Sequence, residues 1–489
     1  MLYPVSIRIA PAVAALLGAL APGDSGAALD ETSCRLLHES LPAAYGRCAT
    51  LEVPEDYADP DGARLGLFFA RIPALTANPE PDPLVLINGG PGGSGVDLYL
   101  QLWAAFEPIR RERDILLLDQ RGTGRSLAGL DCELPEEFEL VTATADEIRA
   151  TVESCIAEFD HDPRLFTTSV AVRDLETLRE ALGVAQWNVF GVSYGTRVAQ
   201  HYLRRHGDRV RAMILDGIVP PDLALGPDIA AAAASALDAA FARCGDSPAC
   251  KERFPDIAQR FEELRARFAG QSIEVVLNDP VTGEPKSVEL DESHLQAAVR
   301  LMSYSDATVA LLPLIIEAAH EGNMLPLAAQ AELQIQSVGE SIGFAMHNSV
   351  VCTEDAPWFP EENVSGAALP YLGTTVIDGL RAICDSWPAG VIDEAFKEPV
   401  ASDRPVLLLS GEHDPVTPPA YAEHVLEAGL TNARHLVGRS QGHGLAAVGC
   451  VPRLMERFVA SGDPEALDPA CLDEQPPMPF FLSFQGPAP

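Results

Sequence analysis

The chain has 489 residues, 47% hydrophobic and 21% charged, a balance that excludes disorder over most of its length. Acidic residues outnumber basic ones 71 to 34, and the net charge of −37 excludes binding to nucleic acid or anionic membrane by bulk electrostatics. Such a length predicts one large domain carrying an insertion, or two domains.

At the amino terminus, Arg8 precedes an apolar run over residues 9–21, and small residues follow at Ser25-Gly26-Ala27-Ala28. The run is too short to span a bilayer, so residues 1–28 read as a signal peptide cleaved near Ala27 or Ala28. The product is therefore expected to be secreted or periplasmic, without a membrane span. The ten cysteines are even in number and lack zinc-like spacing, so export predicts disulfides, with no metal and no organic cofactor. Local pairing costs the least loop-closure entropy, which favours Cys34 with Cys48, Cys132 with Cys155, Cys244 with Cys250, Cys352 with Cys384, and Cys450 with Cys471.

Residues 51–54 read as a short extended piece, Arg64–Ile72 alternates like a strand, and Leu84–Ile87 is apolar enough for a buried one. A glycine-rich loop follows, Asn88-Gly89-Gly90-Pro91-Gly92-Gly93-Ser94-Gly95. It lacks the lysine of a phosphate loop, so its exposed N–H groups fit an oxyanion better than a nucleotide. Residues 114–118 form another buried-strand pattern before Asp119-Gln120-Arg121-Gly122-Thr123-Gly124-Arg125-Ser126, whose charges are expected to tie loops together. Residues 168–182 carry Val172, Leu175, Leu178 and Leu182 on one face of an amphipathic helix.

The sequence then reads Trp187-Asn188-Val189-Phe190-Gly191-Val192-Ser193-Tyr194-Gly195, followed by helix-forming residues. Glycines on both sides of the serine allow close backbone approach, the pattern of a strand-turn-helix elbow that lifts a hydroxyl above a sheet. Residues 210–215 form a further strand. Strands alternating with helices predict a mostly parallel sheet covered on both faces, with its chemistry at the carboxyl ends of the strands.

After Pro220-Pro221 the character changes to helical patterns, interrupted by a hairpin of residues 272–277 and 286–290 around Pro280 to Gly283. This stretch, 220–402, is expected to be a mainly helical cap inserted between a first core segment, 29–219, and a second, 403–489, that includes a proline-rich tail. In the second core segment, strands over 405–409 and 433–437 run into Ser410-Gly411-Glu412-His413-Asp414-Pro415-Val416-Thr417-Pro418 and Gly438-Arg439-Ser440-Gln441-Gly442-His443-Gly444.

Serine near its free pKa is a poor nucleophile and needs a base held by a third group. The order Ser193, Asp414, His443 suits an elbow nucleophile whose partners follow on later strand ends. His443 is preferred over His413 and His435 because it alone occupies a glycine-flanked loop just beyond a strand. Oxyanion donors are expected from the N–H of Tyr194 and of Gly89 or Gly90, with Gly89 preferred.

These motifs together resemble the α/β-hydrolase peptidases, which include prolyl aminopeptidases and the secreted tripeptidyl aminopeptidases of actinobacteria. The resemblance runs from about Cys34 to Cys471. It implies the α/β-hydrolase fold with an inserted helical cap, and a serine exopeptidase acting on peptides with free amino termini; a monomer is expected, separately from the resemblance. It carries the nucleophile to Ser193, the acid to Asp414 and the base to His443. Asn88 and Tyr194 replace the histidine and tryptophan usual in prolyl aminopeptidases, which favours the tripeptidyl branch. Burying a substrate ammonium requires a paired carboxylate, for which Glu354 and Asp355 are the cap candidates. Two alternatives stand: an esterase on the same fold, and a catalytically dead hydrolase used for binding.

Overall fold

The computed structural model describes residues 29–126, 130, 132, 143–278, 282–360 and 370–487. The expected signal segment and residues 279–281, at the start of the turn expected around Pro280 to Gly283, lie outside the described residues.

The chain enters through three strands, β1 (Thr32–Leu36), β2 (Ala44–Pro54) and β3 (Arg64–Ile72), paired antiparallel at one edge of the main sheet. Sequence reading finds only the end of β2 and all of β3. The β1–β2 hairpin carries exposed residues on both faces, so it lacks the apolar alternation that marks a half-buried strand, and Cys34–Cys48 staples it.

Six strands then continue the sheet: β4 (Leu84–Ile87), β5 (Ile115–Leu118), β6 (Trp187–Val192), β7 (Val210–Asp216) and, after a long departure that includes the two-stranded hairpin β8 (Ile273–Asn278) and β9 (Pro285–Leu290), β10 (Val406–Gly411) and β11 (Ala433–Gly438). The nine-stranded order is β1-β2-β3-β5-β4-β6-β7-β10-β11, parallel from β5 to β11. Helices cover both faces, so successive side chains enter two separate cores. Val85, Ile87, Leu116 and Leu118 point into one, while Leu84, Leu86, Ile115 and Leu117 point into the other. Each such buried side chain contributes roughly 1.5–3 kcal/mol relative to exposure, which fixes the register of strands that read as uniform apolar runs.

Four helices belong to the first part of the sheet: α1 (Gly95–Arg110), α2 (Ala145–Glu158), α3 (Thr168–Ala181) and α4 (Tyr194–His206). Between β7 and β10 the chain leaves the sheet and forms α5 (Ile229–Asp246), α6 (Pro248–Arg253), α7 (Ile257–Phe268), α8 (Glu292–Met302), α9 (Asp306–Val309), α10 (Leu312–His320), α11 (Leu325–Ser341), α12 (Phe344–Glu354) and α13 (Thr375–Cys384). The first of these helices pack around their own core of Phe241, Phe261, Leu264, Leu295 and Ile316. Helices α12 and α13 and the turn after α13 instead send Met346, Val350, Ile383 and Trp387 into a core of the main sheet, while Tyr371 and Leu372 join the helical core. The excursion thus has two parts, and only the earlier one is a separate body of helices.

Five disulfides join each cysteine to the next along the chain: Cys34–Cys48, Cys132–Cys155, Cys244–Cys250, Cys352–Cys384 and Cys450–Cys471. Among the described residues, no helix is long and apolar enough to cross a membrane and no cluster of metal-ligating side chains occurs.

Candidate active site

Ser193 sits between the end of β6 and the first residue of α4, with φ 55° and ψ −129°. This strained conformation is rare for a residue with a side chain, and the neighbouring glycines make it sterically feasible. A Cβ on Gly191 would lie 2.5 Å from the Gly195 carbonyl oxygen, and one on Gly195 would lie 2.3 Å from that of Ile87. The Ser193 N–H donates to the Asp216 carbonyl at 2.8 Å, while Thr196 Oγ1 donates to the Ser193 carbonyl at 2.6 Å. The serine is half-buried, on a backbone pinned from both sides.

Asp414 and His443 stand on the loops after β10 and β11. Asp414 Oδ2 is 2.8 Å from His443 Nδ1 and accepts the Thr417 hydroxyl at 2.8 Å. Its other oxygen accepts the N–H groups of Val416 and Thr417 at 2.9 and 2.8 Å. An ionised carboxylate only accepts, so the imidazole proton belongs on Nδ1 and Nε2 is left as a proton acceptor. Burial of His443 opposes its charged form, but Asp414 in contact and Asp216 nearby outweigh burial and lift its pKa above 6.5.

Asp216 joins the serine and histidine sides. Its carbonyl holds Ser193, and its carboxylate accepts the N–H groups of Leu445 and Ala446, two and three residues beyond His443. Gly217, at φ +67°, leaves the space that the His443 ring fills, since a Cβ there would meet the ring carbon Cε1 at 3.0 Å. Ser193 and His443 are thus brought to one rim by a shared strand end, although no hydrogen bond joins their side chains in this structure. Catalytic hydrogen bonds of this type often tighten only when substrate is bound.

The glycine-rich loop lies against Ser193, because a Cβ on Gly89 would be 2.6 Å from Ser193 Cβ. Its amide, however, is not free: the Gly89 N–H donates to Asn88 Oδ1 at 2.7 Å, while Asn88 Nδ2 donates to the Ser94 carbonyl at 2.8 Å. The amide expected as an oxyanion donor is thus taken by Asn88 in this structure. Tyr194, the other expected donor, occupies the first position of α4, where an N–H has no intrahelical acceptor. Asp119 braces the loop by accepting Ser94 Oγ at 2.7 Å and the N–H groups of Val96 and Arg125, both at 3.0 Å.

Glu354 and Asp355 require a correction, because both are fully buried beneath α4. Asp355 receives both terminal nitrogens of Arg197 at 3.1 and 2.9 Å. Glu354 accepts the Thr168 N–H and hydroxyl at 2.7 and 2.8 Å, and Thr168 Oγ1 also bonds the Tyr194 hydroxyl at 2.6 Å. The expected pairing with a substrate ammonium is therefore replaced in this structure by pairing with Arg197 and Thr168, since the end of α12 is turned into the core. They support the residue after the nucleophile.

Sequence reading also misses Thr417, Asp216 and Tyr304. The Tyr304 carbonyl accepts the His443 N–H at 2.8 Å, and its ring meets the imidazole edge-on at 5.3 Å. Nothing local marks Tyr304, which lies in a cap turn more than a hundred residues from His443 in sequence.

Two family models match the chain. One, described as the alpha/beta hydrolase fold, covers residues 82–243, and the other, described as TAP-like protein, covers 369–471. The chain is 28% identical over 435 residues to carboxylesterase B of Mycobacterium tuberculosis, covering 79% of each chain. It is 25% identical over 437 residues to the serine protease Hip1 of the same organism, covering 80% of this chain and 81% of that one. It is 26% identical over 479 residues to a tripeptidyl aminopeptidase of Streptomyces coelicolor, covering 88% of this chain and 84% of that one.

Proposed function

We propose that this chain, a member of the α/β-hydrolase fold, is a serine aminopeptidase of the tripeptidyl type that works outside the cytoplasm. The observation that carries the reading is Ser193 raised on its elbow and tied to Asp216, the same strand end that holds the loop of His443, whose Nδ1 is held by Asp414 at 2.8 Å.

In the proposed reaction His443 Nε2 takes the Ser193 proton as Oγ attacks the carbonyl carbon of the substrate. The oxyanion forms against the N–H of Tyr194 and of the glycine-rich loop. Collapse breaks the C–N bond, His443 returns the proton to the leaving amine, and water then hydrolyses the acyl-enzyme by the same route. No metal or organic cofactor enters these steps. Five disulfides support an oxidising compartment, in keeping with residues 1–28 as a signal, and the separate helical core of Phe241, Phe261, Leu264, Leu295 and Ile316 supports a cap built from the earlier part of 220–402.

A panel of peptide anilides with free and blocked amino termini tests the proposal. Release only from the free series, lost in S193A, is expected, whereas equal turnover of the blocked series would refute the aminopeptidase reading. The similarity to carboxylesterase B favours one second reading, an esterase using the same three side chains. Activity on short acyl esters without activity on any unblocked peptide would select it.

A further inference from the structure

Arginines near the site are generally matched to carboxylates. Arg121 pairs with Asp174 at 2.7 Å and Arg197 with Asp355 at 2.9 Å. Arg300, on cap helix α8, has no carboxylate partner among the described residues, although acidic residues in the chain outnumber basic ones 71 to 34. One of its terminal nitrogens donates to the Tyr304 hydroxyl at 3.1 Å, and the guanidinium carbon lies 5.8 Å from the centre of the same ring. Its Nε is buried without a hydrogen-bond partner, and the Tyr371 hydroxyl in the same cluster is likewise buried and unpartnered. Unmatched buried donors of this kind cost free energy unless something else accepts from them.

The position of this cation decides which acceptor can reach it. Tyr304, which orients Arg300, is the residue whose carbonyl and ring hold His443. Arg300 is thus linked through Tyr304 to the imidazole, which also senses its charge, and in the proposed reaction the imidazole side is where the leaving amine receives its proton. With Nε buried and one terminal nitrogen on the Tyr304 hydroxyl, the other terminal nitrogen of Arg300 keeps N–H donors for an incoming carboxylate.

We propose that Arg300, held over Tyr304, is a specificity-determining residue that pairs with a carboxylate carried by the leaving fragment of the substrate. The carboxylate is the α-carboxylate of a short departing peptide or an acidic side chain on its first residue. This rests on the peptidase reading above. It extends that reading from the free amino terminus to the other side of the cut bond.

The test compares kcat/KM for unblocked peptides that differ only in a terminal carboxylate or carboxamide, and for peptides with Glu or Gln in the departing position identified by product analysis. The wild-type enzyme is expected to prefer the charged member of at least one pair by roughly ten- to a hundredfold, the effect of one charge-assisted hydrogen bond. That ratio is expected to fall toward one in R300Q and to be partly kept in R300K, which also serves if R300Q does not fold. A ratio near one for both wild-type pairs, or an unchanged ratio in R300Q or a complete loss in R300K, would overturn the inference. Fluorophosphonate labelling of Ser193 separates the two readings. If Ser193 is labelled but no peptide is cut, the peptidase reading fails by itself, and the same charge ratio is then read from protection of Ser193 against labelling by each peptide pair.

Discussion

Arg197 and Asp355, 158 residues apart in the chain, pair at 2.9 Å with neither side chain exposed. Arg197 lies on the elbow helix α4 and also donates to the Leu223 carbonyl, while Asp355 accepts the Leu225 N–H. One ion pair therefore joins the nucleophile's helix, the end of α12 and the segment through which the chain leaves the sheet. Removing the Asp355 charge leaves buried Arg197 only its longer, 3.8 Å carboxylate contact with Glu354, and D355N is expected to destabilise the protein by up to about 3–5 kcal/mol. The double replacement R197M/D355L is expected to recover part of that loss. Thermal and urea unfolding of the three proteins would measure it, and a double variant no more stable than D355N would contradict the account.

Because Asp414 and Asp216 outweigh burial in lifting the His443 pKa above 6.5, kcat/KM is expected to rise with pH through an inflection above that value, as the imidazole loses the proton that prevents it from acting as a base. Replacing Asp414 with asparagine removes the main lifting charge, so the inflection moves down while the rate falls by roughly 10³–10⁴-fold, the cost of a misoriented tautomer. A pH–rate profile for D414N with its inflection unmoved or raised would exclude Asp414 as the partner of His443.

Gly89 packs so closely on the nucleophile that a methyl group there would lie 2.6 Å from Ser193 Cβ and 2.9 Å from the Val192 carbonyl oxygen. The substitution G89A is expected to lower the rate of fluorophosphonate labelling by at least tenfold, since small displacements of positioned groups cost catalysis heavily. Labelling at the wild-type rate by a folded G89A would show that the loop yields freely.

Burial pushes the Glu354 carboxyl up to about 7, against the lowering influence of Arg197 and the Thr168 hydrogen bonds. A carboxyl with a raised pKa in the folded state binds its proton more tightly there than in the unfolded chain. Its contribution to stability is thus complete below the ordinary value of 4.5 and is lost as pH rises toward 7. In E354Q this part of the pH dependence disappears, at roughly 1.4 kcal/mol for each pH unit of pKa displacement removed. Asp216, pushed up to about 6, contributes with the same sign and remains in the variant. The difference in unfolding free energy between wild type and E354Q, followed from about pH 5 to 8, is expected to shift in favour of the variant. A difference independent of pH would mean that Glu354 stays ionised throughout.

The local features of this protein were legible in its one-dimensional order because their causes are local. Four consecutive apolar residues at Leu84–Ile87 suit only a strand covered on both faces, and a serine between Gly191 and Gly195 after such a strand has one steric solution. Folding in three dimensions decided the partners. Whether Glu354 and Asp355 meet a ligand or Arg197, whether the Gly89 amide is free or taken by Asn88, and which cap residue reaches His443 all depend on contacts between segments distant along the chain. A residue's chemical type specifies what it can bond, but only packing specifies which group is close enough to bond it. In a densely filled interior a turn of one helix, such as α12, redirects two carboxylates from solvent to core.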